Sequence, residues 1–329
     1  AVTDAAAASM SHVAWDGFAH HDTIFPLFLF IAGVSFPYSV AKQRAGGMSE
    51  GRIYAKIVRR GLTLVVLGMV YNGLFKLDFE NLRIASVLGR IGLAWSIAAV
   101  LYLNFGVKTR AAIAVAVLAG YGALSALVAA PDAAGAGPLT FEGNLAGYID
   151  RQFLPGKLIY GSFDPEGLLS TVPAVVTAML GMFTGEFVRR GDIRGGRKTL
   201  WMAAAAAALL AAGLAFSGVL PVNKKLWSST FVCVVGAYSL GMFALFYYLI
   251  DVRGWRRWTL FFRVVGLNSI TIYLAQRIVG FGRISDFFLG GIASKCPEAV
   301  AAVISSAGYV AVCWLFLYFL YRKNVFLKV

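Results

Sequence analysis

Of 329 residues, 59% are hydrophobic and only 14% charged, a balance that rules out an ordinary pair of water-soluble domains and places the chain in a bilayer. The 30 Lys and Arg against 16 Asp and Glu give a formal charge of +14; beside so large an apolar excess this surplus reads as membrane topology, and a nucleic-acid partner is close to excluded. Cys233, Cys296 and Cys313 are widely spaced without a Cys-x-x-Cys, which indicates neither a disulfide framework nor a zinc site.

The chain begins at Ala1, and Ala1 to Met10 is neither a signal peptide nor a full span, so a further helix ahead of the first visible one is expected. His12, His20 and His21 follow, interleaved with Asp16 and Asp22 and set among Trp15, Phe18 and Phe25. A bilayer core of about 30 Å needs roughly 20 apolar residues per helix. Such runs are Ile24 to Ala41, Gly61 to Phe75, Ser86 to Phe105, Ala111 to Ala130, Leu168 to Val188, Leu200 to Gly218, Thr230 to Ile250, Trp258 to Ala275 and Ala299 to Tyr321. The expected fold is all-α: a polytopic membrane bundle of about nine to ten visible helices in one domain, 1–329. The Gly-rich stretch from Gly280 to Ala293 is shorter and reads as a re-entrant or interfacial piece. Residues 131–167 form a long outside loop, and loops of that length are uncommon unless functional.

Basic residues concentrate on alternate connections. Lys42, Arg44, Arg52, Lys56, Arg59 and Arg60 follow the first run, then Lys108 and Arg110, then Arg189, Arg190, Arg194, Arg197 and Lys198, then Arg253, Arg256 and Arg257, and finally Arg322, Lys323 and Lys328. Retained positive charge marks the cytoplasmic side. The histidine segment is therefore expected outside, in the periplasm or a lumen, and the C-terminus in the cytoplasm.

Imidazole suits proton transfer near neutral pH, and a carboxylate within hydrogen-bond reach would orient it. The His/Asp cluster is thus either a solvated, capping feature of the interface or a catalytic pair; a zinc site lacks a fourth ligand. Asp164-Pro165-Glu166 precedes a span, where Asp164 would serve as N-cap, Pro165 as first helical residue and Glu166 as first-turn acid. Alternatively the two carboxylates face the same vestibule as His12 and bind an amine or sugar hydroxyls. Arg90, Glu186 and Arg263 are ionisable at or near membrane depth and so are functional candidates. Glu186 is expected to pair with Arg189 or Arg190, while Arg90 and Arg263, the latter near Asn268, would bind an anionic group in the bundle.

Four blocks carry a resemblance to a known family. The first runs from His12-Val-Ala-Trp15-Asp-Gly17 through Asp22-Thr-Ile-Phe25-Pro26 to Gly33-Val-Ser35, with ten residues from His to Asp. The second is Arg83-Ile-Ala-Ser-Val87-Leu-Gly-Arg90-Ile-Gly92, and the third Phe163-Asp164-Pro165-Glu166-Gly167. The fourth joins Pro221-Val-Asn223-Lys224-Lys-Leu-Trp227-Ser228 to Gly266-Leu-Asn268-Ser269-Ile270. Together they resemble the transmembrane acetyltransferases typified by heparan-α-glucosaminide N-acetyltransferase and its bacterial relatives.

The resemblance implies transfer of an acetyl group from cytoplasmic acetyl-CoA to an amino-sugar acceptor across the membrane, with no metal. It implies His12 as general base or acetyl carrier and Asp22 as its carboxylate. It places Asp16, Asp164, Glu166, Asn223, Lys224 and Asn268 with the acceptor, Asn268 or Lys224 lying near the oxyanion, and Arg90, Arg263, Ser35 and Ser269 with CoA. Asp16 stands where the family has Asn. The chain has neither an Asn-x-Ser/Thr sequon nor a large outside domain, which suits a bacterial inner membrane; a homodimer is one expected assembly. The alternatives from other classes are an O-acetyltransferase of a cell-envelope polysaccharide and a transporter or flippase of a polar solute.

Overall fold

The computed structural model describes residues 11–327; Ala1 to Met10, read above as neither signal peptide nor span, lie outside them. Every regular element among the described residues is helical, and only two isolated β-bridges, Arg83 with Gly156 and Ala129 with Asn144, occur in the loops. The helices are α1 (Ile24–Ala45), α2 (Glu50–Tyr71), α3 (Val87–Asn104), α4 (Val107–Leu127), α5 (Leu145–Phe153) and α6 (Leu168–Arg189). They continue as α7 (Gly195–Ala215), α8 (Ser229–Tyr247), α9 (Thr259–Leu267), α10 (Ser269–Ile278), α11 (Phe281–Ala293) and α12 (Glu298–Arg322). The chain divides into two compact units, Ala1–Arg253 and Gly254–Val329.

Seven helices among the described residues are long and apolar enough to cross a membrane: α1 with its preceding turn, α3, α4, α6, α7, α8 with its following turn, and α12. The other two predicted runs take different forms. Gly61 to Phe75 takes in the apolar end of α2 and the turn after it, and the first half of α2 carries Arg52, Lys56, Arg59 and Arg60 and is too charged for hydrocarbon. Trp258 to Ala275 is broken at Asn268 into α9 and α10, each too short to span. Gly280 to Ala293 forms α11, 13 residues long and likewise too short.

In the first unit α6 is central and buried along most of its length from Ser170 to Gly185, as expected of a helix apolar on every side. It packs against α1 through small residues. A Cβ at Gly181 would meet the Phe30 carbonyl oxygen, one at Gly185 the Val34 carbonyl oxygen, and one at Gly33 the Ala178 carbonyl oxygen. Lipid tails are as apolar as any leucine, so helices in a membrane associate through this kind of close backbone packing. The α2–α3 contact repeats the device, with Gly61 on Gly92 and Gly68 on Ser86. Gly181→Ala is accordingly expected to lower stability by about 2 kcal/mol, the usual cost of overpacking. Thermal melting of the detergent-solubilised protein reads it, and an unchanged melt would mean that the two backbones can part without cost.

Polar caps fix where three helices begin. Ser86 accepts from the Gly89 N–H ahead of α3, Asn144 from Gly147 ahead of α5, and Ser228 from Phe231 ahead of α8. The core below them is built from Leu29, Phe36, Trp95, Ala98, Met179, Trp227 and Phe231. In the second unit, Asn268 at the α9–α10 break donates to the Val325 carbonyl (3.3 Å) and accepts from Thr271 Oγ1 (3.1 Å). Trp314 of α12 stacks on Phe261 at 5.8 Å and on Tyr318 at 4.9 Å.

Candidate active site

The segment before α1 is folded down by its own polar groups. Gly17, at φ +131°, a region glycine enters freely, donates its N–H to the Val222 carbonyl, and Asp16 accepts from the Val222 N–H at 2.9 Å. A 3₁₀ turn, His20–Thr23, closed by Thr23 Oγ1 donating to the His20 carbonyl, delivers Asp22 to the mouth of α1. Asp22 is 2% exposed and His12 54%. His12 Nδ1 lies 2.6 Å from Asp22 Oδ1, and the Val13 N–H donates to Oδ2 at 3.3 Å. At that separation the Nδ1 proton sits between nitrogen and carboxylate, which leaves Nε2 as the basic nitrogen.

The third member of this cluster comes from the opposite end of the unit's sequence. Lys224 Nζ lies 3.1 Å from Asp22 Oδ1 and 3.1 Å from His12 Nδ1. With Nδ1 donating to Asp22, the ammonium donates to the same carboxylate. The other histidines do not join it: His20 Nδ1 is 3.2 Å from Tyr238 Oη, and His21 meets the His12 ring edge to face at 4.3 Å.

Lys224 is presented by a tightly bonded loop, Pro221 to Ser228. Asn223, fully buried, donates its N–H to Ser228 Oγ (3.0 Å), accepts the Ser228 N–H on its carbonyl (3.0 Å) and accepts the Leu226 N–H on Oδ1 (2.9 Å). Ser228 Oγ donates to the Pro221 carbonyl at 2.7 Å. Trp227 closes the loop at φ +52°, an unusual conformation for a large residue, with its indole N–H on Thr177 Oγ1 and its ring 4.9 Å from Phe25. Lys225 points to the other side, donating to the Ala14 carbonyl at 2.7 Å and lying 4.7 Å from the Tyr160 ring. Trp15 donates to the Leu139 carbonyl at 2.9 Å and packs on Phe141 and Phe163. The histidine segment is thus clamped between the lysine loop and the long loop 131–167.

A second polar cluster lies beside Phe163. Arg83 grips Asp164 with two bonds of 2.6 Å and also donates to Glu166. Asp164 further accepts from the N–H groups of Ile159 and Glu166, so both its oxygens are filled by protein donors. Burial opposes the charge on Arg83, but the bonds and charges of Asp164 and Glu166 outweigh it and hold the guanidinium above its ordinary value. Asp150, fully buried on α5, accepts from the Leu168 and Asp164 N–H groups at 2.9 and 3.2 Å. Burial pushes its carboxyl up to about 6 despite those two bonds. Gly167 must lack a side chain, since a Cβ there would strike that carboxylate.

Arg90, 1% exposed, reaches from the first turn of α3 to Ser170 Oγ and the Gly167 carbonyl on α6, with its guanidinium 5.0 Å from the Trp227 ring. Its Nε and Nη1, like Asn223 Nδ2, have no protein hydrogen-bond partner among the described residues. A buried donor without an acceptor is costly and points to a ligand or an ordered water.

Several sequence expectations change here. Asp164 is not the N-cap of α6, because the helix begins at Leu168 with Gly167 as cap; Asp164 is instead the counter-ion of Arg83. Its oxygens accept from that arginine and from the loop. Glu186 pairs with Arg110 of α4 at 2.7 Å rather than with Arg189 or Arg190, since Arg189 donates to the Pro37 carbonyl and Arg190 pairs with Asp192. Lys224 is engaged by His12 and Asp22. Ser35 is exposed on α1 and donates to its own helix at the Ala32 carbonyl. Arg263, Asn268 and Ser269 belong to the second unit, where Arg263 is exposed and lies 5.7 Å from the Tyr321 ring. Sequence reasoning missed Asp150 as a buried group; its one signal was a carboxylate placed four residues after the buried Ala146 in the short helix α5.

A family model described as heparan-alpha-glucosaminide N-acetyltransferase, catalytic, matches residues 2–219. Two curated relatives are similar over most of the chain. The heparan-alpha-glucosaminide N-acetyltransferase of Homo sapiens is 27% identical over 375 aligned positions, 97% of this chain and 55% of the relative. The Mus musculus protein of the same name is 26% identical over 372 positions, 97% of this chain and 56% of the relative. The chain spans about half the length of these relatives.

Proposed function

The chain belongs to the heparan-alpha-glucosaminide N-acetyltransferase catalytic family, and from that premise we propose that 1–329 acts as one membrane acetyltransferase domain, moving an acetyl group from acetyl-CoA to the amine of a glucosamine-like sugar. The observation that carries the reading is the 2.6 Å contact that fixes His12 Nδ1 on the buried Asp22, because it leaves Nε2, on a half-exposed ring, as the nitrogen without a hydrogen-bond partner among the described residues.

In the reaction, the acceptor nitrogen attacks the thioester carbonyl of acetyl-CoA. His12 Nε2 takes the proton that the nitrogen must lose, and Asp22 stabilises the resulting imidazolium. The carbon–sulfur bond then breaks and the CoA thiolate leaves, taking up the proton. Arg90, with two N–H directions unfilled, is assigned to an anionic or developing oxyanionic group of the donor. Glu166 and Asp16 are assigned to the sugar. The excess of Lys and Arg on alternate connections supports CoA entering from the cytoplasm and His12 facing the periplasm or a lumen, with the C-terminus cytoplasmic and the protein in a bacterial inner membrane. Its surroundings are then the bilayer and, in a homodimer, a second copy.

The test is incubation of the purified, nanodisc-held protein with labelled acetyl-CoA and a panel of amino sugars and glycan fragments, read by mass spectrometry. An acetylated amino sugar is the expected product. Acetylation of hydroxyls alone would reassign the acceptor to a polysaccharide alcohol. No transfer to any acceptor, together with passage of a polar solute across liposomes, would overturn the enzyme reading in favour of a transporter.

A further inference from the structure

We propose that Lys224 is a positioning residue that sets the charge of the His12–Asp22 pair, holding the imidazole neutral and ready to accept a proton. The proposal rests on the reading of His12 as the base. Its observation is the three-way meeting of His12 Nδ1, Asp22 Oδ1 and Lys224 Nζ, at 2.6 Å between the first two and 3.1 Å from the lysine to each.

A histidine facing a buried carboxylate alone would gain a proton to balance it, and a protonated imidazole is no base. The ammonium on the same carboxylate oxygen already supplies that balance. With Lys224 charged, Asp22 ionised and His12 neutral, the trio carries no net charge; protonating His12 would place a second cation beside the first. Asp22 still orients the ring, since its bond to Nδ1–H is retained, so orientation and charge are divided between two residues.

Lys224 can do this because its backbone is held. The bonds of Asn223 to Ser228 and Leu226, and of the Trp227 N–H to the Lys224 carbonyl, fix the loop that carries it. The remaining charged or titratable groups nearby have other engagements: Lys225 with the Ala14 carbonyl, Asp16 with the Val222 N–H, and His20 with Tyr238. Among the described residues, His21, which touches the His12 ring edge to face, is a further titratable group beside it. The lysine also repels a protonated acceptor amine, which favours capture of the neutral amine that reacts.

The experiment is the pH dependence of kcat/KM for acetyl transfer by Lys224→Met, Lys224→Gln and Lys224→Arg, with His12→Ala alongside. Lys224→Met should displace the acid limb upward by about one pH unit, a loss of roughly tenfold at mildly acid pH that largely recovers above about pH 8. Lys224→Gln, which retains a donor for Asp22 and the shape of the site, should show the same displacement, and covers the case in which the methionine variant fails to fold. Lys224→Arg should keep the wild-type limb. A loss uniform across pH, or an unmoved limb in both neutral variants, would overturn the proposal and leave Lys224 a structural tie. If His12→Ala keeps its activity, the underlying reading of His12 fails instead, whatever the lysine variants do.

Discussion

His12→Ala is expected to lower kcat for acetyl transfer by about 10²- to 10⁴-fold, the range a positioned general base supplies, while acetyl-CoA binding stays close to wild type. The fold should survive, because the His12 side chain is half exposed and Asp22 keeps the Lys224 ammonium and the Val13 N–H as partners. Steady-state kinetics with labelled acetyl-CoA, paired with calorimetric binding of CoA, separates the two effects. Full activity in this variant would remove His12 from the chemistry. The same protein distinguishes two routes: if wild type incubated without acceptor accumulates a labelled acetyl group that the variant lacks, His12 is an acetyl carrier and the reaction is ping-pong. If no label accumulates while turnover is robust, His12 acts as base in a ternary complex.

Asp164→Ala is expected to cost about 3 kcal/mol of stability. Breaking a buried ion pair by deleting one partner costs roughly 3–5 kcal/mol because the other charge is left uncompensated. Here Glu166 remains to hold Arg83, which places the effect at the lower end. The carboxylate also accepts the Ile159 and Glu166 N–H groups, so the loop 131–167 loses its anchor together with the charge. Thermal melts of Asp164→Ala, Arg83→Ala and the double variant form a cycle: the double variant should melt above the sum of the single losses, since the Arg83 and Asp164 charges leave together and Glu166 is the group deprived of its partner. A single variant that melts like wild type would mean that the pair adds nothing to the fold.

The candidate site was unevenly legible. The ten-residue step from His12 to Asp22 could be read because both residues lie in one short segment whose turn delivers them to the same place. Arg90 stood out because an arginine a turn into an apolar run needs a reason to be there. Lys224 could be named as a motif position but its partner could not, since 212 residues separate it from His12 and nothing local in Lys224-Lys225 tells which lysine turns to His12 and which to Tyr160. The same limit hid the Arg83–Asp164 pair, and it misdirected Glu186 toward the arginines nearest in sequence when its partner lies on the adjacent helix α4.

By itself the sequence determined the solvent, the helical class, seven of the nine apolar runs as long helices and the segment that carries the His12–Asp22 pair. These follow from hydrophobicity and charge counted along a single run of chain, and the bilayer enforces them whatever the neighbouring helices do. Only the tertiary structure decided which charges meet. Those pairings depend on how closely α1 and α6 approach across Gly33, Gly181 and Gly185, and on a loop whose backbone bonds aim Lys224 in one direction and Lys225 in the other. An ion pair needs its two groups within about 4 Å, and along a folded chain that distance is set by packing rather than by sequence separation.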